Sequence, residues 1–295
     1  MQHLAGLMNP MNLIKLIRYR FFLFAGMLPF LLGQAIAFGF GKSFDGARFW
    51  WGFVGIFLVL AAVEFFNEYF DAKYGGDRIF SGQARAIPKS FFAFGILAVC
   101  LGFIVGLYLT IQAGWPVMLF SFFGFLGAYF YVGTPVRWAY RGLGELVIGL
   151  CYGPFMVLGS YYVQAETVRF VPFFASLICG MSVFCIAVLN EIPDYHQDML
   201  VGKRNLVVRL GKQKAMVLWK VSLAVLFALL ILGVVMKTIP AAAIVAAATL
   251  PWVLKSVSVV EKNYDNPKVF LCAVNTMVVT HIVITLSLGL GFLRR

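Results

Sequence analysis

Long apolar runs, separated by short polar segments, occupy most of this chain. A helix that crosses the hydrocarbon core of a bilayer needs about 20 mostly apolar residues, and about nine runs approach this length. Glycine and proline interrupt several of them, which membrane helices tolerate. The pattern predicts an all-α membrane protein, a bundle of about nine transmembrane helices in a single domain over residues 1–295. The predicted helices span residues 21–40, 48–70, 90–112, 115–132, 143–163, 170–190, 214–236, 239–256 and 269–292.

The composition agrees with a bilayer environment. Hydrophobic residues make up 62% of the 295 residues, charged residues make up 12%, and the mean hydropathy is +0.90. Soluble domains carry about 25% charged residues. We interpret the five cysteines as small buried hydrophobic residues, rather than as disulfides or metal ligands, because all lie within apolar runs and none forms a CxxC pair. They are Cys100, Cys151, Cys179, Cys185 and Cys272.

The basic residues are distributed unevenly between the two sides of the predicted bundle. The chain has 24 Lys and Arg residues and a formal charge of +12. When the loops are assigned to alternate sides, six basic residues fall on the side opposite the N-terminus, and the other 18 share the side of the N-terminus. Because basic loops remain in the cytoplasm, we expect a cytoplasmic N-terminus in the inner (plasma) membrane. The charge then reflects topology in the lipid bilayer and predicts no nucleic-acid partner.

Two acidic segments form a weak internal repeat on the predicted cytoplasmic side. They read NEYFDAKYGGD (67–77) and NEIPDYHQD (190–198), and each follows an even-numbered predicted helix. A parallel repeat keeps both copies in the same orientation, so we expect the two segments to face each other. The repeated positions are Asn67, Glu68 and Asp71 in the first copy and Asn190, Glu191 and Asp194 in the second.

Helical spacing brings these polar side chains onto common faces. Residues four apart lie on one face of a helix, which aligns Asn190, Asp194 and Asp198. In the first copy, Gly75 and Gly76 break the helix and allow the chain to turn Asp77 back towards Asp71. Like charges 4 Å apart repel by about 4 kcal/mol at an effective dielectric of about 20. The clusters therefore require cations, unless they are separate solvated loop charges.

A divalent cation with a phosphate ligand satisfies this requirement. Mg²⁺ uses a few carboxylates and completes its shell with water or substrate phosphate. We therefore predict Mg²⁺ bound by Asp71, Asp77, Asp194 and Asp198, with Asn67 and Asn190 beside a bound diphosphate. Basic residues next to the motifs are candidates to bind the same diphosphate, and their alternative role is topology and headgroup contact. They are Lys73, Arg78, Lys203 and Arg204.

A third cytoplasmic segment reads YVGTPVRWAYRGLGE, from Tyr131 to Glu145. Pro135 and the glycines predict a turn. Arg137, Tyr140 and Arg141 would offer hydrogen-bond donors near the membrane surface. The alternative is an interfacial loop with an aromatic belt.

The paired aspartate motifs, NxxxDxxxxxD and NxxxDxxxD, resemble those of the UbiA superfamily of intramembrane aromatic prenyltransferases. The resemblance extends over essentially the whole chain, and NEIPDYHQDMLVGKRNLVVRLG is similar to the second motif of that family. Within it, NEYFDAKYGGD and GTPVRWAYRGLGE look most like the branch that prenylates 1,4-dihydroxy-2-naphthoate in menaquinone biosynthesis. NEYFDAKYGGD departs from the family in having Asn-Glu where Asn-Asp is common, and residues 78–89 lack the richer polar pattern of that branch.

The resemblance implies a Mg²⁺-dependent transfer of a polyprenyl group from polyprenyl diphosphate to an aromatic acid. It implies that Asp71 and Asp194 are catalytic through the bound metal. Arg137 is our first candidate to bind the carboxylate of the acceptor, followed by Tyr140 and Arg141. The branch implies 1,4-dihydroxy-2-naphthoate as the acceptor, and the departures keep 4-hydroxybenzoate and homogentisate open.

Two other functions would use the same residues. A terpene cyclase of the UbiA type would use the metal site without an aromatic acceptor. A cation transporter would use the acids as ion sites, but it would need them at mid-membrane depth. On the predicted opposite side the acids are Asp45 and Glu166, which favours the enzyme. The residues themselves indicate neither a prenyl chain length nor an oligomeric state.

Overall fold

The computed structural model describes residues 26–74, 89–262 and 267–294, and these residues form a bundle of helices without strands. Seven helices are long and apolar enough to cross a membrane, and two more are apolar but shorter. The helices are α1 (Leu28–Gly39), α2 (Gly46–Tyr74), α3 (Ser90–Ala113), α4 (Pro116–Phe130), α5 (Gly144–Ala165), α6 (Phe170–Glu191), α7 (Tyr195–Leu200), α8 (Leu206–Leu210), α9 (Lys212–Val235), α10 (Ala241–Glu261) and α11 (Pro267–Leu293).

The prediction of an all-α membrane protein is confirmed. Each predicted segment from residue 48 onwards overlaps one observed helix, and most boundaries agree within a few residues. Among the described residues, the two shorter apolar helices are α1, with 12 residues, and α4, with 15. The first predicted segment begins at residue 21, outside the described ranges, so the count of about nine spans stays a prediction.

Helix α6 lies at the centre of the bundle. In its most apolar stretch 72% of the residues are buried within the protein, compared with 28% for α2. It packs against α5, α9 and α11. A Cβ atom on Gly180 would lie 2.5 Å from the carbonyl oxygen of Gly149, so the backbones of α5 and α6 touch there. Small residues allow such close approach between membrane helices, and this contact packs the middle of α6 directly against α5.

Helix α5 contains a π-helical turn at Cys151–Phe155. Pro154 lies within that turn, and since proline has no backbone N–H, a regular α-helical hydrogen bond is lost there. The turn lies next to the contact between α5 and α6, where a Cβ atom on Gly153 would be 2.5 Å from the Cα atom of Gly180. The irregular backbone is therefore enclosed by protein, as the bilayer requires.

The two ends of the bundle differ in chemistry. At one end, the Arg48 guanidinium donates to the carbonyl oxygens of Gln112 and Val163 and pairs with Asp45 and Glu166. These bonds join the ends of α2, α3 and α5. At the opposite end, the C-terminal ends of α2, α4 and α6 meet the turn at residues 131–143 and the short helices α7 and α8. The described parts of both acidic motifs lie at this second end.

Candidate functional site

A cavity of about 730 Å³ runs through the bundle. At the end with the acidic motifs, its wall is polar and comes from α2, α6 and the segments that follow α4 and α6. Deeper in the bundle, its wall is apolar and comes mainly from α2, α3, α4 and α5. On α2 it extends from Asp71 to Gly52, which corresponds to about 28 Å of helix. A single space thus connects a charged mouth to a long apolar compartment.

Helical spacing creates the charged mouth. On α2, Glu64, Asn67, Glu68 and Asp71 all line the cavity, and steps of three and four residues place them on one face. The second acidic motif contributes three further side chains from the end of α6 and the turn that follows it. These are Asn190, Glu191 and Asp194.

The mouth has the donor chemistry of a hard-cation site. The amide oxygen Oδ1 of Asn67 is buried and has no hydrogen-bond partner among the described residues, so it is available to a ligand. Carboxylate and amide oxygens are the ligands that Mg²⁺ takes. Over the ranges that the structure describes, no three His, Cys, Asp or Glu side chains already converge as a metal centre. The residue types fit Mg²⁺, and a substrate phosphate would complete its coordination.

Lys203 is the basic residue that lines the mouth in the described part of the chain. Its Nζ atom lies 2.7 Å from Glu191 Oε2 and 3.1 Å from Asp198 Oδ2. Asn205 Nδ2 donates to the same two carboxylates. Burial opposes a charge on Lys203, but Glu191 and Asp198 outweigh it and raise the pKa of the lysine. Lys203 therefore stays protonated at the wall of the cavity.

The loop that carries Lys203 is attached to the bundle at a second point. Glu145, at the start of α5, accepts a hydrogen bond from the Leu206 backbone nitrogen at 3.0 Å and is only 2% exposed. Asn205 caps α8 by accepting from the Val208 nitrogen at 2.8 Å. Side chains of this type stabilise a helix N-terminus. These contacts fix the positions of residues 203–208 relative to α5 and α6.

The structure brings five of the predicted site residues together along the cavity, and their roles as ligands stay predictions. They are Asn67, Asp71, Asn190, Asp194 and Lys203. Asp198 does not line the cavity. It is 6% exposed and bonds to Lys203 and Asn205, and burial raises the pKa of Asp198 to about 8, with Lys203 opposing the shift. Lys73 and Arg204 are exposed and lie outside the cavity wall. Asp77 and Arg78 lie outside the described residues.

Arg137 packs against two tyrosine rings and does not itself line the cavity. Its Cζ atom lies 3.8 Å from the ring centroid of Tyr74, at the end of α2, and 3.5 Å from that of Tyr140. A planar guanidinium stacks well on aromatic faces. Arg137 adopts a left-handed φ of 52°, and its Nε atom is buried without a partner among the described residues. Burial and the Asp71 carboxylate raise the pKa of Tyr140, so its hydroxyl remains protonated.

Arg141 has a different role. Its Nη2 atom donates to the carbonyl oxygen of Pro135 at 3.1 Å, so it stabilises the turn itself. Ala139, in the same turn, lines the cavity. The turn is therefore part of the wall, whereas Arg137 and Tyr140, which are close to Ala139 in the chain, do not line the cavity.

Sequence reasoning missed several residues of the mouth. Glu64 precedes the first motif, and Glu68 lies within it as a repeated position that was given no role in the site. Their spacing from Asp71 is a signal that could have assigned both. Glu191 is adjacent to Asn190, but its bonds with Lys203 and Asn205 depend on the fold of the loop after α7. Glu145 gave no signal, because its partner, the backbone of Leu206, is 61 residues away in the chain.

The sequence profile of the UbiA prenyltransferase family matches residues 26–278. This chain belongs to the UbiA prenyltransferase family. It is thus an integral membrane prenyltransferase, and the cavity with its acidic mouth is the candidate active site of a UbiA enzyme.

Two relatives within the UbiA family have names that specify naphthoate-type acceptors. The 1,4-dihydroxy-2-naphthoate octaprenyltransferase of Bacillus subtilis is 29% identical over 210 residues, which cover 69% of this chain and 67% of the relative. The 2-carboxy-1,4-naphthoquinone phytyltransferase of Synechocystis is 26% identical over 249 residues, with 82% and 80% covered.

Solved structures share the UbiA fold. A UbiA homolog from Archaeoglobus fulgidus, bound to DMAPP and Mg²⁺, superimposes with a TM-score of 0.62 at 15% identity, covering 96% of this chain and 99% of that chain. A structure described for digeranylgeranylglyceryl phosphate synthase gives a TM-score of 0.65 at 18% identity, with both chains fully covered. At these identities the likeness concerns the fold.

The position of Lys203 between two carboxylates predicts a large effect on stability. Lys203→Met leaves Glu191 and Asp198 close together without the cation, and breaking a buried pair in this way costs about 3 kcal/mol or more. We expect the free energy of unfolding in detergent to fall by that amount in a denaturant titration.

Lys220→Met is the matched control. Lys220 pairs with Glu261, but both side chains are about 40% exposed, and exposed pairs contribute about 0.5 kcal/mol. Equal losses in the two variants would show that the Lys203 cluster does not stabilise the loop.

Proposed function

We propose that this protein transfers a polyprenyl group from polyprenyl diphosphate to 1,4-dihydroxy-2-naphthoate, in a Mg²⁺-dependent reaction of menaquinone biosynthesis. The observation that carries the proposal is the single cavity that joins the acidic mouth to an apolar compartment. A prenyl diphosphate likewise consists of a charged head, which suits a polar mouth, and a long hydrocarbon tail, which suits an apolar compartment. The family membership supports prenyl transfer, and the named naphthoate relatives support the acceptor.

The diphosphate is proposed to bind at the mouth. Asp71 and Asp194 would hold Mg²⁺, with Asp77 and Asp198 as further predicted ligands, and Asn67 and Asn190 would flank the diphosphate. When bound, Mg²⁺ supplies charge neutralisation for the departing pyrophosphate. Lys203 donates to a diphosphate oxygen from the wall that it shares with Glu191. Lys73, Arg78 and Arg204 remain candidates for the outer oxygens.

The apolar wall below the mouth keeps water from the reacting carbon. As the bond between the allylic carbon and the diphosphate oxygen breaks, positive charge develops on that carbon, and water would capture it. In the dihydroxynaphthoate reaction the acceptor ring carbon forms the new bond, and carbon dioxide and a proton leave. Aromatic rings near the upper cavity, such as Phe66 and Tyr129, pack edge to face at 5.2 Å and close this part of the bundle.

Arg137 is proposed to bind the carboxylate of the acceptor. A buried carboxylate without a partner is costly, and a guanidinium recognises one through two parallel N–H bonds. The Arg137 guanidinium packs against the rings of Tyr74 and Tyr140, and its N–H groups would make such bonds. The protonated Tyr140 hydroxyl is the second proposed donor.

We also propose that the acidic end faces the cytoplasm of the cell that carries the protein in its inner (plasma) membrane. The motivation is the excess of basic residues in the loops at that end. In the described residues this end carries Arg137, Arg141, Lys203, Arg204 and Arg209 in short loops and helices.

The first test concerns the metal site. Asp71→Asn and Asp194→Asn each remove a carboxylate charge while preserving side-chain volume, and we expect at least a roughly hundredfold loss of pyrophosphate release. Asp45→Asn, at the opposite end of the bundle, is the control and should retain activity. Chelation of Mg²⁺ should abolish turnover, and added Mg²⁺ should restore it. Turnover by both mouth variants in the presence of chelator would refute the proposal.

The second test concerns the acceptor. Arg137→Ala and Arg137→Lys should raise the KM for dihydroxynaphthoate about tenfold, the loss of one charged hydrogen bond, and leave the KM for the diphosphate unchanged. Lysine fails because it lacks the planar fork. The acceptor assignment is incorrect if membranes containing the protein prenylate 4-hydroxybenzoate or homogentisate and leave dihydroxynaphthoate unmodified.

The third test concerns orientation. In a variant without native cysteines, Leu200→Cys places a thiol at a position that is 72% exposed next to the acidic mouth, and Val168→Cys places one that is 57% exposed at the other end. An impermeant thiol reagent should label residue 200 only in inverted vesicles and residue 168 in intact cells. The reverse pattern would contradict the proposed orientation.

A further inference from the structure

The glycines that line the cavity differ in the space available for a side chain. Seven glycines lie along the cavity: Gly52, Gly55, Gly102, Gly106, Gly124, Gly127 and Gly159. At six of them, an added Cβ atom would meet another helix within 3.3 Å. At Gly55, for example, it would lie 3.0 Å from Val105 Cγ1. These six glycines allow the helices to pack closely.

Gly124 differs because a Cβ atom there would meet nothing within 4 Å. It occupies the centre of the cavity-facing stripe of α4, which contains Val117, Phe120, Gly124, Ala128 and, just beyond the helix, Tyr131. Steps of three and four residues define one face of a helix, so the missing side chain would point into the cavity. The opposite side of α4 faces outwards, with Leu119 45% and Phe122 50% exposed.

The depth of Gly124 can be measured along α4. Tyr131 lines the mouth near Glu191 and Lys203, and Gly124 lies seven residues earlier, which is about 10 Å of helix. An isoprene unit adds four carbon–carbon bonds of about 1.5 Å each, so an extended prenyl chain advances by about 5 Å per unit. The second unit therefore ends near Gly124, and the third must pass it.

We propose that Gly124 determines the length of the prenyl chain that the enzyme accepts, by leaving open the passage from the upper cavity into the glycine-lined lower compartment. This inference rests on the proposed prenyl-diphosphate donor. Beyond Gly124 the compartment continues towards Val117, Leu109 and Val163. The Arg48 network, which bonds to the carbonyl oxygen of Val163, closes the bundle at that end. A side chain at position 124 would limit the chain to about two units.

The test compares Gly124→Ala, Gly124→Leu and Gly124→Phe with wild type, and uses Leu119→Phe as the control that adds the same ring on the outward side of α4. With geranyl diphosphate and dihydroxynaphthoate, kcat/KM should stay within about twofold in every variant. With farnesyl and geranylgeranyl diphosphates, the Leu and Phe variants should lose about tenfold or more, since a hydrophobic pocket discriminates on this scale. The Ala variant should show a smaller loss, and Leu119→Phe should match wild type.

A second readout does not depend on turnover or on the acceptor. The non-reactive S-thiolodiphosphates of geraniol and farnesol, with Mg²⁺, should both raise the melting temperature of wild type and of Leu119→Phe. Only the geranyl analogue should raise that of Gly124→Leu and Gly124→Phe. The melting temperature without ligand reports folding, and if the Phe variant does not fold, the Ala and Leu variants decide.

The outcomes separate this inference from the proposed function. If wild type is stabilised by neither analogue, the proposed donor is incorrect and the inference fails with it. If wild type binds and uses both donors but the Gly124 variants lose geranyl and farnesyl equally, or lose neither, the donor assignment stands and the role of Gly124 is overturned.

Discussion

Carboxylates gathered at the mouth of an apolar cavity repel one another and lose hydration, and the local structure at this end of the bundle depends on how that cost is met. At 4 Å, two such charges repel by about 4 kcal/mol at an effective dielectric of about 20. Lys203 and Asn205 neutralise or bond the carboxylates of Glu191 and Asp198. The other acids of the mouth, on α2 and after α6, line the cavity, where a bound cation would offset the remaining negative charge.

Helix packing below the mouth determines what the site can hold. Glycine contacts bring α2 against α3 and α5 against α6, where Gly180 meets Gly149, and the backbones approach closely enough to exclude lipid. At Gly124, in contrast, an added Cβ atom would meet nothing within 4 Å, so the glycine leaves open volume. Glycine therefore allows close helix packing at some positions and leaves cavity volume at another, depending on whether a neighbouring helix lies opposite.

The geometry also distinguishes an enzyme from a cation transporter. A transporter needs acids near mid-membrane and access from both sides. Here most of the acids that line the cavity gather at one end, with Glu64 about 10 Å deeper on α2, and apolar residues and glycines form most of the rest of the wall. At the other end, Arg48 joins the ends of α2, α3 and α5 through its bonds to Gln112, Val163 and Glu166. A compartment of this kind suits a hydrocarbon chain better than an ion.

The sequence by itself determined the positions of the helices and the acidic face of α2. A bilayer sets the length of an apolar run, and spacing within one helix sets the direction of a side chain about its own axis, so the common face of Asn67 and Asp71 on α2 was predictable. The predicted helical face of Asn190, Asp194 and Asp198 was wrong, because α6 ends at Glu191 and Asp194 lies in the turn that follows. Only the tertiary structure decided that Lys203, rather than Lys73 or Arg204, lines the cavity, that Asp198 turns to Asn205, and that Gly124 faces open space. Each of these depends on what lies across the gap between elements distant in the chain, and local spacing carries no information about that neighbour.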